Sequence, residues 1–428
     1  MIKHTLGLYA WLAGTVKPSI SIAPGARLYG YYLDSGNVRV IKMSVARSTA
    51  HKTMTMSLNE LKTPCLLLDA GRMKRNASKI ATHVRRSGAK LRPHVKTHKC
   101  VEVARIQTAD EGGALTVSTL AEARAFMAQG FTDITYAVPI EPGKFEEAIE
   151  LARDCERLSL ITDDPEIPPL LNDAARLAGV RLDLFLKVDC GYHRCGVEPS
   201  TPEALEIPRR IDDSSNLSFA GILTHAGHSY HCRTREEVLA VARHERDLMT
   251  DFASVLRAEG IEVPTVSIGS TPTITTIDHL RGIDEARPGN YIFFDAFQAA
   301  IGSCSLDDCA LTVLVAVVHR DRTRHKVVID AGAIALSKDR GAVELDSACG
   351  YGHVLDVEGN SLGLTISGLS QEHGEIVVGD ESTLERLKVG TRLRVLVNHS
   401  CLTAAQHAHY NVLEGDHIVD RWEIQRGW

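Results

Sequence analysis

From about Thr63 to Phe297 the chain alternates between short β-rich runs and longer amphipathic stretches, which is typical of repeated βα units around a parallel sheet. In the first amphipathic stretch, apolar residues recur three and four positions apart between residues 73 and 84, and Gly88 ends the pattern. Eight β-like runs occur in this part of the chain: Cys65–Asp69, Leu91–Val95, Leu115–Ser118, Ile134–Ala137, Leu158–Thr162, Asp183–Val188, Phe219–Thr224 and Pro264–Ile268. Eight parallel strands with intervening helices predict an α/β fold, namely a (β/α)₈ TIM-like barrel.

The rhythm changes after about Phe297. There the β-like runs are separated by turns containing Gly, Asp and Asn, with little helical period between them: Leu311–Val318, Val327–Asp330, Leu393–Val397 and His417–Val419. This pattern predicts a C-terminal, mainly β domain. We divide the chain into a leader (residues 1–55), a barrel (56–297) and a β domain (298–428), and the first strand of the chain is a candidate to join the β domain instead.

The leader differs from the rest in composition. It contains seven Lys and Arg residues against one acidic residue, Asp34, and it has no sustained helical or strand period. A short apolar stretch behind Lys3 is faintly signal-like, and the scarcity of acidic residues is faintly typical of a transit peptide. We favour a dispensable leader or an upstream start, because Met43, Met54 and Met56 are all available as first residues.

Charge and cysteine usage narrow the class of partner. The chain has 48 Lys and Arg against 54 Asp and Glu, a net charge of -6, which gives no support for a nucleic-acid or polybasic membrane surface. No apolar run reaches the ~18–20 residues of a membrane span. The ten cysteines are irregularly spaced and form no CxxC pair, which favours a reducing compartment, the cytoplasm. We expect a small-molecule partner, with no nucleic acid and no membrane.

A lysine follows the second β-like run, in the sequence RPHVKTHK of residues 92–99. Barrels of this type place their chemistry at the carboxyl ends of the strands. A lysine held there near other cations has a lowered pKa and can act as a nucleophile that forms a Schiff base. Lys96 is therefore the candidate, although a solvated surface charge is the usual interpretation of a single lysine.

Later strands also end in polar loops. Residues 189–196 form a loop bracketed by glycines that can direct Arg194 inward. After the last run, Gly269, Ser270 and Thr271 form a turn whose N–H and hydroxyl groups can bind a phosphate, at the place where barrels often bind one. Such turns are common, so their position carries the argument.

Near the C-terminus, His399 and Cys401 stand two residues apart in the strand-like run VNHSC. On a strand this spacing places both side chains on one face, where they could share a Zn²⁺ whose open positions accept water or substrate. A half-buried histidine and a core cysteine are the alternative from spacing alone.

Taken together, seven motifs resemble the metal-activated, fold-type III pyridoxal-phosphate enzymes, a family that includes D-serine dehydratases, D-threonine aldolases and D-threo-3-hydroxyaspartate dehydratases. In chain order they are TPCLLLD, RPHVKTHK, VDCGYHRCGV, THAGHSYHCRT, IGSTPT, RPGNY and VNHSC. The resemblance covers Leu61 to the C-terminus and implies an alanine-racemase-like barrel. It also implies a homodimer in which the β domain completes the barrel mouth of the partner.

The resemblance further implies a role for each matching residue. Lys96 resembles the lysine that binds pyridoxal 5'-phosphate covalently, and Arg194 resembles the arginine that faces the pyridine nitrogen. Tyr230 resembles a residue that contacts cofactor or substrate. His399 and Cys401 resemble the ligands of Zn²⁺, or of another divalent metal. The phosphate site is implied at Gly269, Ser270, Thr271, Gly289, Asn290 and Tyr291.

The implied activity is that of a lyase acting on a β-hydroxy D-amino acid. We expect a D-serine dehydratase that gives pyruvate and ammonia by β-elimination, because the dehydratases tend to carry His-x-Cys where the aldolases tend to carry His-x-Asp. D-threonine aldolase and D-threo-3-hydroxyaspartate dehydratase or aldolase remain as alternatives. A non-catalytic pyridoxal-phosphate homeostasis protein is an alternative of a different class, but such single-barrel proteins lack a β domain.

We predict that a chain beginning at Met56 keeps the fold and the activity of the full chain. The leader lacks periodic apolar faces and could not bury enough surface to offset its ordering entropy. Thermal unfolding and turnover of the two chains should agree. A large drop in melting temperature or turnover on truncation would show that the leader packs on the rest of the protein.

Overall fold

The computed structural model describes residues 29–34, 37–42, 56–109 and 113–428. Within the leader it describes one antiparallel hairpin, formed by β1 (Tyr29–Asp34) and β2 (Asn37–Lys42). The leader's sequence does not predict this hairpin, whose strands have only six residues each. The other leader residues, including the candidate starts Met43 and Met54, lie outside the described residues, and the dispensability of the leader stays a prediction.

Two strands precede the barrel, β3 (Met56–Ser57) and β4 (Cys65–Asp69). Strands and helices then alternate through the barrel: α1 (Ala70–Arg86), β5 (Lys90–Leu91), α2 (Val101–Thr108), β6 (Leu115–Val117), α3 (Leu120–Met127), β7 (Asp133–Pro139), α4 (Phe145–Asp154), β8 (Arg157–Thr162), α5 (Ile167–Ala178), β9 (Leu182–Lys187), α6 (Glu203–Asp212), β10 (Leu217–Leu223), α7 (Arg235–Ala258), β11 (Val266–Ile268), α8 (Thr271–Thr276) and β12 (Glu285–Ala286). In the described part of the chain, no helix is long and apolar enough to cross a membrane.

The eight strands of the barrel are parallel and lie in the order β5-β12-β11-β10-β9-β8-β7-β6. A parallel bridge between His94 and Thr116 links the two edge strands. Around the sheet, the helices bury the faces that their spacing predicts; in α1 these include Met73, Ile80 and Val84. The α/β barrel expected from the sequence is confirmed.

Two of the barrel strands differ from the prediction. The run Cys65–Asp69 does not open the barrel; as β4 it lies between two strands of the C-terminal sheet, the alternative kept open for the first strand. The eighth barrel strand is Glu285–Ala286, which has only two residues and therefore no readable pattern. Leu66, Leu67 and Leu68 are almost fully buried, so the apolar run fits either sheet equally well.

The remaining elements are α9 (Ala296–Ala300), β13 (Leu311–Asp321), β14 (Lys326–Ile329), α10 (Ala333–Leu336), β15 (His353–Leu355), β16 (Ser361–Thr365), β17 (Gly368–Leu369), β18 (Gly374–Val377), α11 (Glu381–Arg386), β19 (Arg392–Leu396), α12 (Ser400–Ala404), β20 (His409–Glu414) and β21 (His417–Glu423). Their strands, with β3 and β4, form an eleven-stranded sheet with the path β16-β15-β19-β13-β4-β20-β21-β3, and β14, β17 and β18 branch from β13. The mainly β character of this part is confirmed, and the predicted boundary at residue 297 stays a prediction.

A buried ion-pair network fixes the short strands β5 and β12. Arg92, which follows β5, donates from Nε to Glu285 on β12 (2.5 Å) and from a terminal nitrogen to Asp133 on β7 (2.7 Å). Ser267 on β11 donates to the second oxygen of Glu285 (2.6 Å) and contacts Arg287. Side chains thus connect four strands of the barrel where two of them offer little backbone pairing.

We predict that Gly221→Ala, in β10, lowers the free energy of unfolding by about 3 kcal/mol or more. Gly221 has φ +124°, and an added Cβ would lie 2.0 Å from the carbonyl oxygen of Thr265, the residue before the neighbouring strand β11. Gly379→Ala is the matched control, because its added Cβ meets nothing within 4 Å. Urea unfolding of both variants measures the difference, and equal stabilities would contradict the assigned backbone contact.

Candidate active site

A cavity of about 580 Å³ opens at the carboxyl ends of the barrel strands. This size falls in the range of roughly 300–1,000 Å³ that small ligands and cofactors occupy. Residues after most of the barrel strands line it, together with the loop at residues 339–345 and the start of α12. Of the predicted site residues, the structure brings together Lys96, Arg194, Tyr230, Gly269, Ser270, Thr271, Gly289, Asn290, His399 and Cys401.

Lys96 lies in a single 3₁₀ turn, Val95–Thr97, directly after the loop that leaves β5. The turn begins at His94, whose Nδ1 accepts a hydrogen bond from the Lys96 N–H (3.4 Å). The Lys96 side chain is open to solvent through the mouth of the cavity, but the surrounding protein groups partly desolvate its amine. This desolvation lowers the pKa of Lys96. The charges of Arg194 and Lys99 lower it further, and Cys401 opposes the shift. Its amine therefore has the environment that a nucleophilic lysine needs.

Two histidines line the cavity beside Lys96. Burial, reinforced by the charge of Lys96, holds the pKa of His94 and of His225 well below the ordinary value. Nδ1 of His225 lies 3.0 Å from the Gly269 carbonyl oxygen, and this contact identifies it as the protonated nitrogen. Both imidazoles are thus neutral near pH 7 and add no charge to the site.

The predicted phosphate site lies around the start of α8. Ser270 caps this helix, accepting from the Thr273 N–H (3.3 Å) and lying 3.0 Å from the Ser229 hydroxyl. An added Cβ at Gly289 would come within 2.9 Å of the His94 carbonyl oxygen, so the wall allows no side chain there. Tyr291 lies behind this wall, fully buried, and its N–H donates to Thr271 (3.2 Å).

Four cationic side chains line the cavity besides Lys96, namely Lys187, Arg194, Arg233 and Arg287, and of these only Arg194 is predicted from the sequence. Arg194 is exposed at the mouth and stacks on Tyr192, with 5.1 Å from its guanidinium carbon to the ring centroid. Arg287 is buried, donates to Ser267 and to the Thr224 carbonyl, and has its pKa lowered to about 10 by burial. Burial also lowers the pKa of Lys187 to about 8. Lys187 ends β9, and Arg287 directly follows β12 and opens the motif RPGNY.

Tyr230 lies in the 3₁₀ turn Gly227–His231 and lines the cavity. Its ring packs against Phe297, with 5.9 Å between the centroids. Burial, reinforced by the charges of Cys401 and Asp295, raises the pKa of Tyr230. The hydroxyl therefore stays protonated and can donate a hydrogen bond within the cavity.

His399 and Cys401 do not lie on a strand face as the sequence suggested. Strand β19 ends at Leu396; His399 is the residue before α12, and Cys401 lies in the first turn of that helix. The turn still brings both side chains to the wall of one cavity, where burial alone would raise the pKa of Cys401 but the neighbouring His399 lowers it. The Cys401 Sγ also lies 3.3 Å from the Thr97 hydroxyl and 3.6 Å from the Asn290 amide nitrogen.

Asp339, which the sequence analysis missed, bonds to the other side of the His399 ring. Its Oδ2 lies 2.6 Å from Nδ1 of His399. Burial alone would lower the pKa of His399, but the hydrogen bond to Asp339 and the neighbouring Cys401 raise it to about 11, and the bond to His399 lowers the pKa of Asp339. No sequence pattern marks Asp339, because it reaches the site from a loop 60 residues earlier in the chain.

The donor set fits a divalent metal with few protein ligands. Imidazole nitrogen and thiolate sulfur are ligands that Zn²⁺ prefers. Among the described residues, no group of three or more His, Cys, Asp and Glu side chains could hold a metal ion. The pair would therefore leave several positions open for water or substrate. The cavity likewise fits pyridoxal phosphate, because an amine of lowered pKa and a wall that excludes side chains at Gly289 line the same space.

Two family models match the chain. Residues 68–296 match the alanine racemase N-terminal domain, and residues 310–413 match a serine dehydratase domain. The chain is 39% identical over 381 residues to D-threo-3-hydroxyaspartate dehydratase of Delftia sp. (strain HT23), which covers 88% of this chain and 100% of that protein. It is 33% identical over 393 residues to D-serine dehydratase of Dictyostelium discoideum, covering 87% and 98%.

Solved structures show the same relationship. The Delftia enzyme superposes with a TM-score of 0.84 at 39% identity, over 87% of this chain and 100% of that one. A variant of that enzyme has been solved in a metal-free form. D-threonine aldolase from Filomicrobium marinum superposes with a TM-score of 0.76 at 27% identity, over 88% and 98%. The chain therefore belongs to the fold-type III pyridoxal-phosphate enzymes that combine an alanine racemase-like domain with a serine dehydratase domain.

Proposed function

We propose that the protein is a pyridoxal-phosphate- and metal-dependent dehydratase that converts D-serine into pyruvate and ammonia. One observation carries this proposal: the Lys96 amine and the His399/Cys401 pair open into the same cavity, and Cys401 bonds to Thr97, the residue after Lys96. A candidate base and a candidate metal-binding pair thus line one cavity that is large enough for a small substrate.

Lys96 would hold the cofactor covalently, and Gly269, Ser270, Thr271, Gly289 and Asn290 would surround its phosphate. Pyridoxal phosphate, when bound, withdraws electrons from the substrate Cα and so acidifies its proton. Its ring nitrogen would face a guanidinium. The family resemblance implies that role for Arg194, but the buried Arg287 is the better preorganised of the two, because two hydrogen bonds fix it.

The residues of this chain would then move the protons. Lys96, with its lowered pKa, has a larger neutral fraction and can accept the Cα proton. The protonated Tyr230 hydroxyl can donate a hydrogen bond to a substrate or cofactor oxygen. His399 and Cys401 would hold Zn²⁺ or another divalent ion, whose Lewis acidity stabilises the hydroxide that must leave Cβ.

D-threo-3-hydroxyaspartate is a second candidate substrate, favoured by the 39% identity to the Delftia dehydratase. D-threonine cleavage is the aldolase alternative in the same family. A product assay separates them: D-serine would give pyruvate, 3-hydroxyaspartate would give oxaloacetate, and an aldolase would release glycine and an aldehyde. Each assay is run with and without chelator. A purified protein without metal or turnover would instead favour a cofactor-carrier role.

A homodimer and a cytoplasmic location form part of the same proposal. All ten cysteines are outside disulfides, which supports a reducing compartment. Light scattering of the purified protein tests the dimer, and a monomeric mass with full activity would exclude a shared site.

We predict that borohydride reduction of the holoenzyme attaches the cofactor to the peptide containing Lys96. Lys96→Ala should lose this label and all turnover, because no other lysine occupies the turn after β5. Peptide mapping by mass spectrometry locates the label. Finding it on Lys99, which pairs with Glu122, or on Lys187 would refute the assignment.

We predict that chelation or Cys401→Ala lowers pyruvate formation from D-serine by at least about a hundredfold. Hydroxide is a poor leaving group near neutral pH, and several kcal/mol of charge stabilisation are lost with the metal. The visible absorbance of the bound cofactor should persist, and D-alanine, which has no hydroxyl, should still exchange its Cα proton slowly.

Cys195→Ala is the matched control, because Cys195 is another free thiol that lines the same cavity. It should keep most of the activity. Full-rate pyruvate formation by the chelated enzyme would mean that the metal has no part in the elimination.

A further inference from the structure

The loop between α10 and β15 bonds to one of the two candidate metal ligands. Its Asp339 presents one carboxylate oxygen to Nδ1 of His399 at 2.6 Å, and the other oxygen accepts the Gly341 N–H at 2.7 Å. About a third of each side chain is exposed, Asp339 at 31% and His399 at 29%. The contact is therefore neither sealed in the core nor freely solvated.

We propose that Asp339 is a positioning residue that fixes the proton of His399 on Nδ1 and leaves Nε2 as the nitrogen that binds a divalent metal with Cys401. This inference rests on the proposed function, in which that pair holds the metal. The carboxylate beside Nδ1 accepts a hydrogen bond from the proton on that nitrogen and so retains it there. The proton that a metal displaces is therefore the one on Nε2, whose lone pair then becomes available as a ligand.

The loop is built to hold Asp339 in this place. Ser337 adopts φ +72°, an uncommon backbone conformation for a residue other than glycine, and its hydroxyl accepts the Asp339 N–H (3.1 Å). The buried Asn398, next to His399, donates to the carbonyl oxygens of Asp339 (3.4 Å) and Gly350 (3.0 Å). The carboxylate is thus fixed relative to the chain segment that carries His399.

The two ligands are held from opposite sides. Thr97 and Asn290, which belong to the barrel, contact the Cys401 sulfur, whereas Asp339 contacts the imidazole from the C-terminal loop. A metal bound by only two protein ligands gains little affinity from chelation. The affinity therefore depends more strongly on how well each ligand is oriented before the metal binds. Loss of such an outer hydrogen bond typically weakens metal binding by about 10- to 100-fold.

The test is zinc affinity, measured on the full chain with bound cofactor by competition with a chromophoric chelator. Asp339→Asn keeps the size of the side chain but removes its charge, and it should weaken zinc binding about 10- to 100-fold. Asp346→Asn is the matched control, because Asp346 lies in the same loop and bonds only locally, to the Ala348 N–H (2.8 Å). It should leave the affinity unchanged within about twofold. The cofactor absorbance should be the same in all variants.

The outcomes separate this inference from the function on which it rests. If Cys401→Ala binds zinc as tightly as the unaltered protein, the proposed metal site is wrong. If Cys401→Ala loses zinc but Asp339→Asn keeps it, the site stands and the role of Asp339 is refuted. Should Asp339→Asn fold poorly, Gly341→Ala provides a second variant. Its added Cβ would lie 3.0 Å from the Phe297 side chain at a backbone φ of +49°, so it should displace the loop and weaken zinc binding. Unchanged affinity in that variant would likewise refute the inference.

Discussion

The buried ion pairs of Arg92 are the interaction on which the arrangement of the cavity depends. Strands β5 and β12 have two residues each, so backbone hydrogen bonds alone fix their positions in the barrel only weakly. Arg92 compensates by binding carboxylates on β12 and β7 at once. Removing one partner from such a network leaves an uncompensated buried charge, which is strongly unfavourable. The network therefore fixes the end of the strand that leads, four residues later, to the turn carrying Lys96.

The second requirement is that the C-terminal sheet meets the barrel at the same place. The Tyr410 hydroxyl on β20 donates to the His98 carbonyl (2.8 Å), and the Cys401 thiol contacts Thr97. Both contacts fall within two residues of Lys96. The Lys96 amine and the Cys401 thiol are therefore both positioned by the backbone around residues 96–98. This arrangement fixes the distance between the base and the candidate metal pair.

The sequence predicted the barrel and most of the cavity because those signals are local. The spacing of apolar residues in α1, the lysine after β5 and the Gly-Ser-Thr turn at the start of α8 can each be recognised within a few residues. Sheet membership of β4 could not be predicted, because an apolar run buried on both faces suits either sheet. His399 and Cys401 line the same cavity from a helix start and not from a strand face, since a spacing of two also brings side chains to one side there; their role as metal ligands stays a prediction. Asp339 enters the site through a tertiary contact that no local pattern records, whereas Arg287 directly follows β12 and opens the motif RPGNY.

The position of β4 has a consequence for how the protein is made. Leu68 on β4 pairs with Leu311 on β13, and Leu66 pairs with Tyr410 on β20, so the entire barrel is inserted between strands of one sheet. During translation β4 is therefore synthesised long before its partner strands β13 and β20. Its apolar edges remain unpaired until the barrel has been synthesised. Such long-range closure is slow and exposes the nascent chain to aggregation. The barrel and the sheet consequently cannot mature as two independent domains in chain order, and the last strands to emerge complete a sheet whose central strand was among the first.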